Sequence, residues 1–270
     1  MLPIVNILGR ELGMYPLMVL VGILVAGTFA YVKAEKWQVR PVDMIEVLAI
    51  GAIGVVVGSH LLYALVEFPR WSYQSIWTTL GGSVFYGGLL GGTGLGLWYI
   101  RWRKYPLRPM TEIAACVIPL FHGFARIGCF FGGCCYGIES HFGFIMTESL
   151  APMANGVMRF PVQLLEAAAD FTLFLFLFFL LEKRQKLQNS VLEKGEKAQS
   201  VGLPLPAIYF PCYALIRFLD EFLRGDGYRG IWGPFSTSQW ISLGILLVSG
   251  CYLMFRRKQV TMPENSKEFY

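Results

Sequence analysis

The chain has 270 residues, of which 55% are hydrophobic and only 15% are charged. Soluble domains carry about 25% charged residues, and a mean hydropathy of +0.51 indicates more apolar surface than a water-soluble fold of this size can bury. The net charge is +5, but in so apolar a chain the placement of basic residues matters more than their sum. Composition therefore argues against a soluble protein, excludes a disordered one, and predicts an all-α integral membrane protein with no nucleic-acid partner.

Seven apolar segments, each about the length of one membrane-spanning helix, are separated by polar stretches. They cover residues 16–32, 44–66, 82–100, 110–125, 160–181, 203–223 and 240–255. The most hydrophilic stretch follows the fifth segment, and we expect residues 182–202 to form a cytoplasmic linker. We expect the whole chain, 1–270, to form a single membrane domain of seven transmembrane helices.

Basic residues are unevenly distributed between the two sides of this predicted bundle. With seven spans, all nine lysines and seven of the arginines lie on one side, 16 of the 23 basic residues in total. Because Lys and Arg are enriched on the cytoplasmic side, this predicts an outside N-terminus and a cytoplasmic C-terminus. The remaining seven are all arginines: Arg10, Arg70, Arg126, Arg159, Arg217, Arg224 and Arg229.

The basic residues on the predicted outer side are all arginines, and the chemistry of the guanidinium group suggests a reason. The planar guanidinium group matches a phosphate with two parallel hydrogen bonds and is weakly hydrated. Snorkelling at the membrane interface accounts for Arg10 and Arg70. It does not account well for Arg126 and Arg217, which lie within apolar runs, and an ionisable residue at membrane depth predicts a functional site.

The segment around residues 122–160 is rich in glycine and cysteine and lies on the predicted outer side. Four glycines among residues 128–137 predict an irregular backbone that approaches a ligand or lines a cavity. A glycine-rich helix-packing face is the alternative. The same segment contains His122 and Arg126.

The cysteines of this segment leave three interpretations open. Together with His122, the thiols of Cys129, Cys134 and Cys135 offer four zinc ligands, although their spacing fits no standard zinc pattern and adjacent ligands are awkward. Outside the cytoplasm, Cys129 can form a disulfide with Cys134 or Cys135. The interpretation we favour is that the thiols are buried and pack as small apolar groups.

Two further polar groups fall on predicted helices. Tyr213, Arg217, Glu221 and Arg224 share one helical face, on which Arg217 and Glu221 pair at the i, i+4 spacing; a purely structural ion pair is the alternative. In the fifth span, Gln163 and Glu166 share a face that is expected to point inward, away from lipid.

A third group opens the third span, where glycines surround a tyrosine. Gly87 and Gly88 follow Tyr86 directly. Their lack of side chains allows close approach of a helix or a lipid, and helix packing alone explains them equally well.

These groups, in this order, resemble the bacterial prolipoprotein diacylglyceryl transferase family. The resemblance covers most of the chain. Its motifs occupy residues 15–22, 85–88, 126–128, 159–166, 217–224 and 239–240.

The resemblance implies a multi-pass enzyme of the bacterial cytoplasmic (inner) membrane whose active site opens to the outer leaflet. The family transfers the diacylglyceryl group of phosphatidylglycerol to the thiol of a lipobox cysteine in a secreted prolipoprotein, which forms a thioether and releases glycerol phosphate. No metal or organic cofactor is needed. The implied partners are phosphatidylglycerol, the signal peptide of the preprolipoprotein and the bilayer.

The motifs of the family also assign roles to residues of this chain. The implied catalytic residues are Arg126, Arg217, Glu221, Tyr86 and His122. The implied substrate-binding residues are Tyr15, Gly87, Gly88, Gly128, Cys129, Cys134, Gly137, Arg159, Gln163, Glu166, Tyr213 and Arg224.

Three positions depart from the family pattern. Tyr86 occupies the position of a histidine, Cys129 that of an asparagine and Cys134 that of a glutamate, while His122 is an additional titratable group. Either Tyr86 or His122 is therefore expected to handle the proton. The alternative functions are a related phospholipid-dependent transferase with a non-lipoprotein acceptor, a non-enzymatic lipid-binding or transport protein, and a thiol- or metal-based redox protein. We see no internal repeat of the kind common in transporters.

Overall fold

The computed structural model describes residues 3–7, 9–67, 85–149, 151–193, 202–226 and 231–261. Seven α-helices lie within these ranges. They are α1 (Met14–Lys36), α2 (Pro41–Glu67), α3 (Phe85–Trp102), α4 (Leu107–Gly132), α5 (Val162–Glu193), α6 (Pro206–Asp220) and α7 (Thr237–Thr261). Residues 82–84 of the third predicted span and 194–201 of the predicted linker lie outside the described residues, as do Arg70 and Arg229.

Within the described ranges, three short antiparallel hairpins connect or precede helices, and the sequence analysis did not predict them. They are β1 (Ile4–Ile7) with β2 (Arg10–Gly13), β3 (Glu139–Ile145) with β4 (Met158–Arg159), and β5 (Ile231–Trp232) with β6 (Phe235–Ser236). Two single 3₁₀ turns, Pro152–Ala154 and Glu221–Leu223, complete the described elements.

Five of the seven described helices are long and apolar enough to cross a bilayer. The spans are Met14–Lys36, Pro41–Leu65, Leu107–Gly132, Val162–Val191 and Thr237–Arg256. The third and sixth predicted segments are also helical, as α3 with 18 residues and α6 with 15 residues. The protein is therefore a helical integral membrane protein, as its composition predicted.

Helix α5 continues past the apolar segment into the charged stretch, ending at Glu193. The first part of the predicted linker is therefore helical, and the cytoplasmic location of 182–202 stays a prediction. Glu, Lys, Arg and Gln are good helix formers, so the polar residues extend the helix instead of ending it.

The chain divides into two compact units. The larger unit consists of Met1–Ala26 and Ala115–Tyr270, and the smaller unit of Gly27–Ala114. Within the smaller unit, α2 and α3 pack through facing glycines. Gly58 and Gly87 are so close that an added Cβ atom on either would collide with the carbonyl oxygen of the other, and Gly54 and Gly91 face each other in the same way. This is the small-residue packing typical of membrane helices, in which backbones approach closely.

We expect Gly54→Ala to destabilise the protein. Its Cβ atom would lie 2.9 Å from the Cβ atom of Leu95 and would collide with the carbonyl group of Gly91, and overpacking of this kind costs about 1–3 kcal/mol. Thermal unfolding in detergent should give a lower midpoint than for the unchanged protein. Gly94 has open space at its Cβ position, so Gly94→Ala is the matched control; equal midpoints for the two variants would contradict this account.

In the larger unit, α4 remains helical through the glycine-rich sequence up to Gly132. The prediction of an irregular backbone is therefore wrong up to Gly132. The alternative, a glycine-rich face against which other helices pack, describes this part of the segment. An added Cβ atom at Gly123 would lie 2.7 Å from the ring of Phe171, and one at Gly128 would lie 3.2 Å from Tyr15 and from Met18 of α1. The glycines are the positions where neighbouring side chains press against the helix.

The irregular backbone begins just after α4. Gly133 and Cys135 have φ angles of +70° and +57°. These angles lie in the left-handed region, which residues other than Gly, Asn and Asp seldom adopt. The turn they form brings the chain from the end of α4 into the β3–β4 hairpin. Beneath that hairpin, Tyr136, Met146 and Ala154 form a small buried cluster.

Candidate functional site

Helix α5 presents one stripe of polar side chains to the interior of the larger unit. Gln163, Glu166 and Asp170 have exposed fractions of 0%, 1% and 0%, and their spacing places them on a single helical face. The inward orientation predicted for Gln163 and Glu166 is confirmed. Sequence reasoning missed Asp170, although an isolated acid in an apolar span on that same stripe was the available signal.

Glu166 lies between two arginines from different parts of the chain. Its Oε1 is 2.7 Å from Nη2 of Arg126 on α4, and its Oε2 is 3.7 Å from Nη1 of Arg224. Arg224 also donates two parallel hydrogen bonds to Asp226, at 2.9 and 2.8 Å. All four side chains are buried, so each charge depends on the others; leaving one of them unpaired would cost about 3–5 kcal/mol.

His122 and Asp170 form a second buried pair, one helical turn from the first along both α4 and α5. Nδ1 of His122 lies 2.8 Å from Oδ2 of Asp170, and the ring packs edge-on against Tyr213 with 5.6 Å between ring centroids. The carboxylate at Nδ1 fixes the orientation of the imidazole ring.

The ion pair predicted within the sixth span is confirmed. Nη2 of Arg217 is 2.5 Å from Oε2 of Glu221 and donates to Oγ of Ser238 at 3.3 Å. The prediction that Arg224 continues this helical face is wrong, because α6 ends at Asp220 and Arg224 has an extended backbone. That extended segment is what allows Arg224 to reach Glu166.

Arg126 and Arg217 lie near the same two acidic residues, Glu166 and Asp220. Glu166 and Asp220 each interact electrostatically with both arginines. Among the described residues, Nε of Arg126 and Nη1 of Arg217 are buried and have no hydrogen-bond partner. Buried donors of this kind are normally satisfied, so the two arginines together offer donors for an acceptor group from outside the chain. Asp220, like Asp170, was missed by sequence reasoning.

Gly137 lies where three backbone segments pass within contact distance. The amide of Ile138 donates to the carbonyl of Leu223 at 3.0 Å, and the amide of Gly225 donates to the carbonyl of Tyr136 at 2.9 Å. An added Cβ atom at Gly137 would collide with the carbonyl oxygen of Phe160. The structure therefore gives Gly137 a packing role that holds the Arg224 segment in place, and substrate binding at this residue stays a prediction.

The guanidinium group of Arg159 binds backbone carbonyls of the protein itself. Its guanidinium group donates to the carbonyl oxygens of Ala154, Gly137 and Met153 at 3.1–3.3 Å and lies 4.4 Å from the ring centroid of Tyr136. These contacts clamp the β3–β4 hairpin. A substrate-binding role for Arg159 stays a prediction.

The three cysteines at the end of α4 converge. The Sγ atoms of Cys129, Cys134 and Cys135 all lie within 4.8 Å of one another, and all six cysteines of the chain lie in the described residues as thiols. Hydrogen bonds from the Cys129 and Cys134 thiols, aided by the nearby charges of Arg224 and Arg126, lower the pKa of Cys135.

The remaining predicted residues fall at two places. Tyr15, on α1, contacts Gly128. Tyr86, Gly87 and Gly88 belong to the smaller unit, where Tyr86 is buried on α3 and both glycines pack against α2. Their catalytic and substrate-binding roles stay predictions.

Comparison with known proteins agrees with the resemblance seen in the sequence. Residues 3–255 match the Prolipoprotein diacylglyceryl transferase family. The chain is 31% identical to phosphatidylglycerol–prolipoprotein diacylglyceryl transferase 2 of Clostridium perfringens, over 90% of each chain. It is 28% identical to phosphatidylglycerol–prolipoprotein diacylglyceryl transferase of Clostridium tetani, over 90% of this chain and 92% of the relative. With a match that spans nearly its whole length, the chain belongs to the prolipoprotein diacylglyceryl transferase family.

Proposed function

We propose that the protein transfers the diacylglyceryl group of phosphatidylglycerol to the thiol of a lipobox cysteine in a secreted prolipoprotein. The names of its relatives supply the donor lipid and the acceptor. The observation that carries the proposal is the pair of buried donors on Arg126 and Arg217, which have no acceptor among the described residues. The phosphodiester of the lipid supplies the oxygens that these donors lack.

The carboxylates beside the arginines fit this role. Glu166 and Glu221 each hold one edge of a guanidinium group, at 2.7 and 2.5 Å, and so fix its orientation before the lipid arrives. The phosphodiester is then bound by preoriented N–H donors and not by a bare positive charge. As the bond between the glyceryl carbon and the phosphate oxygen breaks, negative charge grows on the departing glycerol phosphate, where such donors are most effective.

The acceptor thiol must lose its proton to become a nucleophile, because the thiolate is the reactive form. We assign the role of base to the imidazole of His122, with Asp170 holding the ring through Nδ1 at 2.8 Å. The thiolate sulfur attacks the glyceryl carbon, a carbon–sulfur bond forms, and the electron pair of the broken carbon–oxygen bond leaves with the phosphate. Tyr86 is the alternative base that the sequence allows.

The other predicted residues of the larger unit are proposed to shape the substrate-binding surface around these groups. They are Tyr15, Gly128, Cys129, Cys134, Gly137, Arg159, Gln163, Tyr213 and Arg224. Gly87 and Gly88 of the smaller unit stay proposed substrate-binding residues. Gln163 supports this surface indirectly, since it donates a hydrogen bond of 2.9 Å to the carbonyl of Cys134.

We further propose that the chain forms one membrane domain of seven spans in the bacterial inner membrane. The distribution of lysine and arginine supports an outside N-terminus and a cytoplasmic C-terminus. In this arrangement the 122–160 segment lies at the outer leaflet, where phosphatidylglycerol enters sideways and the signal peptide of the preprolipoprotein is accessible, and the charged segment 182–202 lies in the cytoplasm.

Reconstitution tests the proposed reaction. The protein is placed in vesicles that contain phosphatidylglycerol labelled in its diacylglyceryl part, and a lipobox peptide is added. We expect the label on the peptide cysteine, and none on a peptide whose cysteine is replaced by serine. Loss of labelled lipid without labelled peptide would point to the alternative transferase with a different acceptor, and no loss of lipid would support the non-enzymatic alternative.

A further inference from the structure

The proposed reaction gives the cluster of Cys129, Cys134 and Cys135 no chemical step, although the first two belong to the proposed substrate-binding surface. Cys129 is 7% exposed, the other two are half-buried, and the three sulfur atoms lie within 4.8 Å of one another. Three sulfur atoms bound to one tetrahedral zinc at about 2.3 Å lie about 3.8 Å apart. The sulfur separations in the structure are therefore at most about 1 Å longer than those around one zinc ion.

The backbone explains how adjacent cysteines face the same point. Along extended chain, successive side chains point to opposite sides, which makes neighbouring residues poor partners for one metal. The left-handed conformation of Cys135, with φ at +57°, breaks this alternation. The same turn, begun at Gly133, folds Cys134 back over the last turn of α4, where its thiol lies 3.8 Å from the carbonyl oxygen of Cys129.

The surroundings of the cluster suit an anionic metal–thiolate group. Arg126 lies one helical turn before Cys129 on α4, and the segment that carries Arg224 is hydrogen-bonded to the chain just after Cys135, through the amide of Gly225 and the carbonyl of Tyr136. Gln163 anchors the loop by donating to the carbonyl of Cys134 at 2.9 Å, the kind of outer contact that orients metal ligands.

We infer that Cys129, Cys134 and Cys135 bind one zinc ion as thiolates and leave its fourth coordination position to the acceptor thiol. A metal with three protein ligands and one open position is the arrangement of catalytic zinc sites, and a thiol that coordinates zinc is deprotonated outright. Its proton leaves to His122 or to water, and the bound thiolate retains the electron pair with which it attacks the glyceryl carbon. The role of the open position rests on the proposed function; the zinc site itself does not.

The zinc content of the purified protein tests the site directly. The full chain is isolated in detergent under reducing conditions with zinc present, loosely bound metal is removed by dialysis, and zinc is measured per chain. We expect about one zinc ion per chain. Cys129→Ser, and separately Cys134→Ser, should each weaken zinc binding more than about 10-fold. Loss of a residue that only hydrogen-bonds to a metal ligand already weakens metal binding by at least about 10-fold, and loss of a ligand should cost more. Cys251→Ser, which changes a cysteine on α7, should keep the metal.

Cobalt in place of zinc tests the open position without any lipid. Thiolate-to-cobalt absorption should increase when a lipobox peptide is added and should not change with the serine version of that peptide. A chain without zinc would overturn the site, and so would unchanged zinc binding by both Cys129→Ser and Cys134→Ser. An unchanged cobalt spectrum would overturn the open position. Zinc binding without lipid transfer in vesicles would contradict the proposed function alone, whereas transfer by a zinc-free chain would contradict this inference alone.

Discussion

The Arg217→Lys variant is expected to turn over phosphatidylglycerol about 100- to 1,000-fold more slowly than the unchanged protein, the usual effect of losing one donor that stabilises a developing anion. Lysine retains the positive charge and so can still pair with Glu221. It cannot reproduce the planar fork of arginine, whose second arm presents the buried Nη1 donor. We expect the loss mainly in kcat, because the charge on the phosphate grows during the reaction.

The measurement is the initial rate of peptide labelling in vesicles, with thermal unfolding followed in parallel to establish that the variant is folded. Arg40→Lys is the matched control, since 80% of that side chain is exposed and it lies in the smaller unit. Near-normal turnover by Arg217→Lys would remove this guanidinium group from the site. The same comparison applies to Arg126→Lys, which keeps a cation beside Glu166 but loses the Nε donor.

His122→Gln is expected to lower turnover by about 100- to 10,000-fold, the range for loss of a general base. Glutamine can still form a hydrogen bond to Asp170 but cannot accept the thiol proton. Tyr86→Phe should have the smaller effect. If instead His122→Gln is nearly normal and Tyr86→Phe is inactive, the tyrosine is the base and our assignment is wrong.

Asp170 is a positioning residue in this account, because it touches His122 and not the substrate. Asp170→Asn should therefore lower turnover strongly in the unchanged background and have little further effect in His122→Gln, since residues that act as one unit are not additive. Additive losses in the double variant would show that Asp170 does not act through His122. Unfolding measurements on both single variants are needed alongside, because each change alters a buried pair.

The features that sequence determined are those that depend on local periodicity and composition. Apolar length predicted where the long helices lie, and helical spacing predicted both the Arg217–Glu221 pair and the inward face shared by Gln163 and Glu166. These predictions succeed because residues three, four or seven positions apart meet on one side of a helix whatever surrounds it. The motifs then identified the family before any contact was known.

Tertiary structure alone decided which distant charges meet. Glu166 holds Arg126 and Arg224, and His122 holds Asp170, across helices whose relative rotation and depth are set by packing of side chains along their whole length. No local pattern encodes that register. The path of the chain near Cys135 is a similar case: burial of Gly123 and Gly128 against neighbouring helices keeps α4 helical through a glycine-rich sequence, and the left-handed turn that follows gathers three thiols that spacing alone made improbable partners.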